Sequence, residues 1–356
     1  MIGIAPDTEL QANVSAFTDT RDRGTDFTVN SSKGADASLR LVGRGTWGWS
    51  ALAYLQTRAF TSQFASINAA RTSATETLNQ YNTPATGLGA RIEIAPPLGE
   101  GLSLRLGGDV RAVSGRTQEL FSYVAGAPTR QRHAGGETRN MGLFADGSAD
   151  LGRVTLDLGG RIDWWRIADG YLEEHVMATG ASVNDLHYPN RTGSEATGRA
   201  GATWKPVDML AFRAAAYRGW RLPTLNELYR PYRVGADATA ANAALRPERL
   251  TGYEGGVTLT PTPATSIAVT WFHNRLEDAI ANVTAGIGPG TFPGVGVVGA
   301  GGVYRVRRNV DAITSTGVEV EGNVRAGPFS ARASWQHVSA RVEASGAAAG
   351  LDGLRP

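Results

Sequence analysis

Cysteine is absent from the 356 residues. Disulfide frameworks, thiolate zinc sites and cysteine nucleophiles are excluded with it, although the compartment is not fixed by that absence. An excess of one charge is missing too: 35 Lys and Arg stand against 33 Asp and Glu, a net of +2. No basic stripe with interleaved aromatics occurs, so a nucleic-acid partner has no electrostatic footprint. The opening MIGIAPDTELQANVSAF carries Pro6, Asp7 and Glu9, where a secretory signal needs a cationic start and an apolar core of roughly 7–15 residues. The longest uncharged run, TAGIGPGTFPGVGVVGAGGVY, is dominated by Gly and Pro, which would not hold a membrane helix together. No helical membrane span is expected.

What the chain has in quantity is glycine, 45 residues, and alternation. In RVTLDLGGRIDW, Val154, Leu156, Leu158, Ile162 and Trp164 share one parity, while Arg153, Thr155, Asp157, Arg161 and Asp163 share the other. LSLRLGGDVR and TGVEVEGNVR repeat the pattern. Each reads as a strand with one apolar and one charged face. A soluble β-sandwich points the apolar face inward; a membrane barrel points it to lipid and the charge to an aqueous lumen.

The connections separate these readings. Short ones, such as GRGT (43–46), DLGR (150–153), KPVD (205–208) and AGP (326–328), alternate with long ones at 60–86, 113–137, 166–196, 220–249 and 277–303. Short turns at one end and long loops at the other are the asymmetry of outer-membrane barrels. Trp47, Trp49 and Trp204 beside short turns, with Trp164 and Trp220 beside long loops, suggest two interfacial girdles. Register would be firmly set, since a one-residue slip of 153–164 would turn its charges to lipid, at roughly 2–4 kcal/mol per buried cation. The expected class is all-β, a transmembrane antiparallel β-barrel. Its thirteen strands lie near 9–18, 36–43, 47–60, 86–95, 101–113, 137–149, 152–166, 196–205, 208–220, 249–260, 264–277, 303–325 and 328–342.

One stretch breaks the pattern. In RGWRLPTLNELYRPYRVG, Thr224 and Glu227 have the spacing of a helix capping box, just after Pro223. This predicts a capped helical turn over a barrel rim, where the strand ladder has ended. The stretch, with its continuation to LRPERLTGYEGGV, resembles the TonB-dependent receptors, active transporters of Gram-negative outer membranes. The resemblance is carried by Arg218, Arg221, Pro223, Thr224, Leu225, Glu227, Leu228 and Tyr229. It continues through Leu245, Pro247, Glu248, Tyr253, Glu254 and Gly256, and through Asn309, Gly317, Glu319 and Glu321 in RRNVDAITSTGVEVEG. Leu222 and Asn242-Ala-Ala are mild departures, and elsewhere the strands match only in style.

The resemblance implies capture of a scarce solute, such as a siderophore, cobalamin or an oligosaccharide, at outside loops. Import would then pass a plug released by energy from TonB. Outer-membrane lipid is the implied surroundings. About 13 of the family's about 22 strands are expected here. With an odd count, no plug and no signal, residues 1–356 are expected to be part of one barrel domain that does not transport alone and meets TonB only through a plug it lacks. Tyr229, Arg230, Tyr232 and Arg233 are ligand candidates at the rim, because planar cations and aromatics suit anionic chelates or sugars. A porin-like passive channel is the alternative, and a soluble carbohydrate-binding sandwich the third reading.

Other signals carry little. GVGVVG (294–299) matches a dinucleotide fingerprint but runs into a strand, where such a site needs a helix. Histidines 133, 175, 187, 273 and 337 show no pair at metal-ligand spacing along the chain. No nucleophile motif is present, so neither an enzyme, a metal nor a cofactor is expected.

Overall fold

The computed structural model describes residues 2–356. Its first eleven strands are β1 (Ile2–Ala5), β2 (Thr8–Arg21), β3 (Asn30–Gly43), β4 (Gly48–Ile67), β5 (Ala74–Ala95), β6 (Leu102–Val124), β7 (Ala127–Asp150), β8 (Val154–Val176), β9 (Ser182–Tyr188), β10 (Arg191–Val207) and β11 (Leu210–Arg221). After the helical turn α1 (Leu225–Tyr229) come β12 (Tyr232–Val234), β13 (Asp237–Ala240), β14 (Glu248–Thr262), β15 (Thr265–Glu277), β16 (Ile280–Ile287), β17 (Gly290–Phe292), β18 (Gly296–Val298), β19 (Val303–Asn309), β20 (Ala312–Ala326) and β21 (Phe329–Glu343).

The wall is an antiparallel meander that follows chain order, β1 to β8 and then β10, β11, β14, β15, β20 and β21, with β9 added beside the upper part of β8. Twelve of the thirteen expected strands are each present as one strand of the wall, and the short β1 precedes them. The alternation sets the faces as expected. Leu158 is 70% exposed whereas Asp163, five residues on and of the other parity, is 2% exposed. Leu39, Ile92, Val110, Leu143, Ile267 and Trp335 are exposed on other wall strands. An apolar belt of that extent does not suit water, because soluble monomers keep such patches small. It suits lipid.

The inner face carries charge in mutually paired sets. Arg161 bonds both Asp109 (2.6 Å) and Asp163 (2.6 Å), and Asp146 accepts from Arg105 (3.3 Å) and Arg199 (3.0 Å). The buried apolar clusters gather instead at the long-connection end, around α1, around Val283 and Val310, and around Val298 and Tyr304.

Four expectations change. Connections 60–86, 113–137 and 166–196 are largely strand: β6 runs to Val124 and β7 starts at Ala127, leaving a two-residue turn. Above the lipid band no apolar face is required, so the alternation fades while the hydrogen-bond ladder continues. The strand expected at 303–325 is two. β19 pairs parallel with β13 in a four-stranded cap of β12, β13, β19 and β16, and β20 alone joins the wall. The GVGVVG stretch contributes β18 to a small hairpin with β17 rather than an unstructured loop. Finally, Trp220 is not a girdle residue. The β10–β11 ladder stops at Gly198–Arg218, and across the gap the Trp220 indole N–H donates to Asp163 (3.0 Å). Trp164 and Trp204 do face outward, 42% and 51% exposed.

One irregularity sets the upper wall. Between Gly135 and Glu137 the β7–β8 register shifts, and Asp169 takes a positive φ of 52°, the signature of an extra residue in the bulged strand. Below it, the odd residues Arg161, Asp163 and Trp165 look inward. Above it, the even residues Leu172 and Glu174 do, and they are buried.

Candidate functional site

The rim turn forms as its sequence dictates. The Glu227 amide donates to Thr224 Oγ1 (3.2 Å), and Glu227 Oε2 accepts from the Thr224 amide (2.6 Å). Two donors that no longer have a ladder are thereby satisfied. Burial acts to raise the Glu227 pKa. The Arg221 guanidinium and the Thr224 amide and hydroxyl outweigh it and hold the carboxyl below its ordinary value of 4.5. Its stabilisation is therefore complete at neutral pH and is lost as pH falls through and below the ordinary value. Thr224→Ala should cost about 1 kcal/mol, seen as faster amide exchange at Glu227, while Glu227→Gln should flatten the acid limb of a thermal-stability profile.

The other end of α1 is closed from a distance. Arg307 on β19 donates to the carbonyls of Asn226 (2.6 Å) and Arg230 (2.8 Å); the Arg230 oxygen lies past the last helical residue, and the Asn226 oxygen also accepts from the Arg230 amide (3.2 Å). Arg221 binds Glu248 and also Glu227 (3.0 Å), and Glu248 accepts from the Ile280 amide (2.7 Å). Asn309 donates to the carbonyls of Arg246 (3.1 Å) and Asp278 (2.6 Å) and accepts from the Arg246 amide (2.9 Å). Arg221, Thr224, Glu227, Glu248 and Asn309 thus form one polar frame that binds the loop to its flanking strands. Pro223, Leu228, Leu245 and Pro247 are buried, and Leu225 packs at the margin of the α1 cluster. Gly317 is explained by space: a Cβ there would lie 2.5 Å from the Phe272 ring and 2.7 Å from the His337 carbonyl. Tyr253 faces out, 52% exposed; Glu254 is half-buried and Glu319 exposed. Glu321 meets Arg332 at 3.4 Å.

The four residues expected to contact ligand are engaged within the chain. Tyr229 is 2% exposed and stacks on Tyr188, centroids 5.2 Å apart. A Cβ at Gly170 would lie 2.1 Å from the Tyr229 ring, so glycine there makes room for it. Arg230 donates through Nε to Glu119 (2.7 Å). Arg132 reaches the other oxygen of the same carboxylate (2.6 Å). Tyr232 lies under Arg307, 5.0 Å from guanidinium carbon to ring centroid, and Arg233 donates to the Val297 carbonyl (2.7 Å).

Beneath this frame is a cavity of about 770 Å³. Residues Leu222–Asn226 roof it, and its walls come from β5, β6, β7, β8, β10 and β11. Arg111, Arg161, Asp163 and Arg218 line it, with Trp220 at one side. Arg161 is committed to Asp109 and Asp163. Among the described residues, no ion pair involves Arg111, Arg116 or Arg218 of this lining. Arg111 shares the inward parity of Asp109 and Glu119 on β6, which Arg116 does not, so the cavity's uncommitted cations are Arg111 and Arg218. Of this lining, Arg218, Pro223, Thr224 and Leu225 belong to the stretch that carries the family resemblance. Arg111, Arg161 and Asp163 show in the sequence only as the charged face of strands. Their shared inward parity was the one available signal. Three histidines that are far apart in sequence, His133, His175 and His187, also come onto one outward face.

A strand meander apolar on its outside and charged on its inside, with a loop roofing a ligand-sized cavity, is the wall of a membrane barrel. The chain belongs to the family described as TonB dependent receptor-like, beta-barrel, whose model matches residues 3–353. It is similar in fold to the FrpB iron transporter of Neisseria meningitidis (F5-1 variant, apoprotein form), at 14% identity and TM-score 0.63 over 99% of this chain and 52% of that one. A double mutant of the Serratia marcescens hemophore receptor HasR, in complex with its hemophore HasA and heme, gives 16% identity and TM-score 0.70 over 94% and 52%. The ferric yersiniabactin uptake receptor FyuA of Yersinia pestis gives 12% and 0.64 over 94% and 49%. The chain spans about half the length of these structures. No curated protein matches it.

Proposed function

We propose that this chain forms wall and extracellular rim of an outer-membrane receptor, and that its cavity captures an anionic metal chelate for TonB-driven import. Residues 1–356 would be one part of a single barrel domain, and capture rather than passage is the step assigned to them. The supporting observation is the cavity under α1 with Arg111 and Arg218 uncommitted. Family membership supplies the transport setting, and the fold neighbours named above include an iron transporter, a hemophore receptor in complex with heme and a ferric yersiniabactin uptake receptor. A neutral oligosaccharide would give these cations little to do. In this reading Tyr229, Arg230, Tyr232 and Arg233 act on the ligand indirectly, by holding the roof.

Trp220 supplies a test. Titrating the detergent-solubilised chain with ferric chelates and heme should quench its fluorescence. Arg111→Gln with Arg218→Gln should weaken binding of the chelate concerned by roughly tenfold to a hundredfold per charged hydrogen bond lost, at about 1.5–3 kcal/mol each. Equal affinity in wild type and double variant would remove the anionic-ligand assignment.

A further inference from the structure

The sequence separates His133, His175 and His187 by more than ten residues each, and none has a metal-ligand partner at helical or loop spacing. The fold brings them together. On the outward face of the upper wall, Glu173 of β8 stands directly opposite His133 of β7 on one side and Asp185 of β9 on the other. His187 is two residues beyond Asp185 on β9, so it shares that face.

The side chains converge on the β9 side. His187 Nε2 lies 3.3 Å from Asp185 Oδ1 and 4.0 Å from Glu173 Oε1. One donor atom from each of the three residues falls within 4.8 Å of the others. Around a tetrahedral zinc ion, with bonds of about 2.0–2.2 Å, neighbouring ligand atoms are about 3.3–3.5 Å apart. Shifts of about an ångström would close the set, and the two carboxylates are free to make them, Glu173 being 46% and Asp185 70% exposed.

Two further observations favour an ion. Carboxylates directly opposed across an antiparallel pair repel and destabilise it. Yet Glu173 of β8 and Asp185 of β9 are so placed, and β9, a seven-residue strand, can least tolerate the loss. The imidazole is also oriented rather than loose: the His187 ring stacks on Tyr171, centroids 6.5 Å apart. His133 stands apart from the set, its Nε2 being 3.0 Å from the Tyr81 hydroxyl.

We propose that Glu173, Asp185 and His187 bind a divalent transition-metal ion such as zinc, clipping edge strand β9 to β8 outside the ligand cavity. One imidazole nitrogen and two carboxylate oxygens suit zinc or another first-row ion better than magnesium or calcium, which prefer all-oxygen sets. Water completes the coordination. The ion neutralises the opposed carboxylates and fixes β9, the strand that ends in Tyr188. Tyr188 stacks on Tyr229, so the clip steadies the roof of the cavity from outside.

The experiment is calorimetric titration of zinc chloride into the untagged full chain in detergent, with hydrogen exchange followed over 182–188. One zinc per chain is expected, with slower exchange in that segment on binding. His187→Ala and the isosteric Asp185→Asn should each weaken binding about tenfold or more, since loss of even an outer-shell partner costs roughly that much. Both positions are exposed, and an unchanged far-UV β spectrum would confirm that the variants fold. Three results would overturn the proposal: no saturable zinc binding, affinity unaltered by both substitutions, or binding abolished by His133→Ala and retained in His187→Ala. None of them bears on chelate capture, which is read separately through Trp220.

Discussion

Glu119→Ala is expected to detach the rim loop from the wall. Glu119 is 1% exposed and receives two arginines from different directions, Arg132 from the neighbouring strand β7 and Arg230 from the end of α1. Burial acts to raise its pKa, yet the two guanidiniums hold the carboxyl below the ordinary value. Removing it leaves two cations desolvated without a counter-charge, and breaking a buried pair in this way costs about 3–5 kcal/mol. Amides of α1 and of β12 should lose exchange protection, and the chelate cavity should lose its roof. Wall strands such as β2 and β3, far along the meander, should keep theirs. Replacing all three residues by apolar ones of similar volume should restore much of the stability, because the penalty lies in the orphaned charges rather than in the missing bonds. Full protection of α1 in the single variant would show that the ion pairs do not hold the loop.

Tyr229→Ala should have an effect of similar size by another route. The ring fills a site bounded by Gly136, Gly170 and Tyr188, and it joins Trp165, Ile167, Leu172, Leu228 and Leu245 in one buried cluster. Truncating a buried aromatic costs about 3–5 kcal/mol, part of it for the void left behind. Thermal unfolding should move down accordingly. Tyr229→Phe should be mild, because the hydroxyl has no hydrogen-bond partner to lose among the described residues. That comparison separates the two roles open to this residue. If Tyr229 met ligand through its hydroxyl, the Phe variant would lose ligand affinity while keeping its stability. If the ring supports the roof, the Phe variant would keep both.

The wall was legible because lipid enforces strict rules. Leu156, Leu158 and Ile162 must face one way and Asp157, Arg161 and Asp163 the other, and the pattern survives wherever the strand crosses the apolar band. Where β6 and β7 rise beyond that band, at 114–137, no solvent dictates parity, so continuous strand reads as loop. The capping box at Thr224 and Glu227 was legible because both partners lie within one turn. Its counterpart, Arg307 on the last carbonyls of α1, was not, since some eighty residues intervene. The cavity was hidden for the same reason, its walls coming from six strands. The contact between Glu119 and Arg230 also depends on how the loop folds back, which no local pattern encodes. Asn309 and Gly317, by contrast, were picked out through resemblance alone, and only the loop carbonyls and the Phe272 ring give them a physical reason.

The positive-φ residue Asp169 acts on β8 as a shift of phase. Up to it, the strand answers to the alternation of a membrane wall. Past it, the same chain runs half a cycle out of step, and this places Leu172 under the roof and Glu173 outside. An insertion or deletion of one residue at this point would behave like a frameshift confined to the upper strand. Leu172 and Glu174 would exchange places with Glu173 and His175, exposing Leu172 and Glu174 and burying Glu173 and His175, while every residue below kept its environment. The outer half of β8 can therefore be rewritten as a block, independently of the half that lipid holds fixed, and its phase is set at a single hinge of sequence.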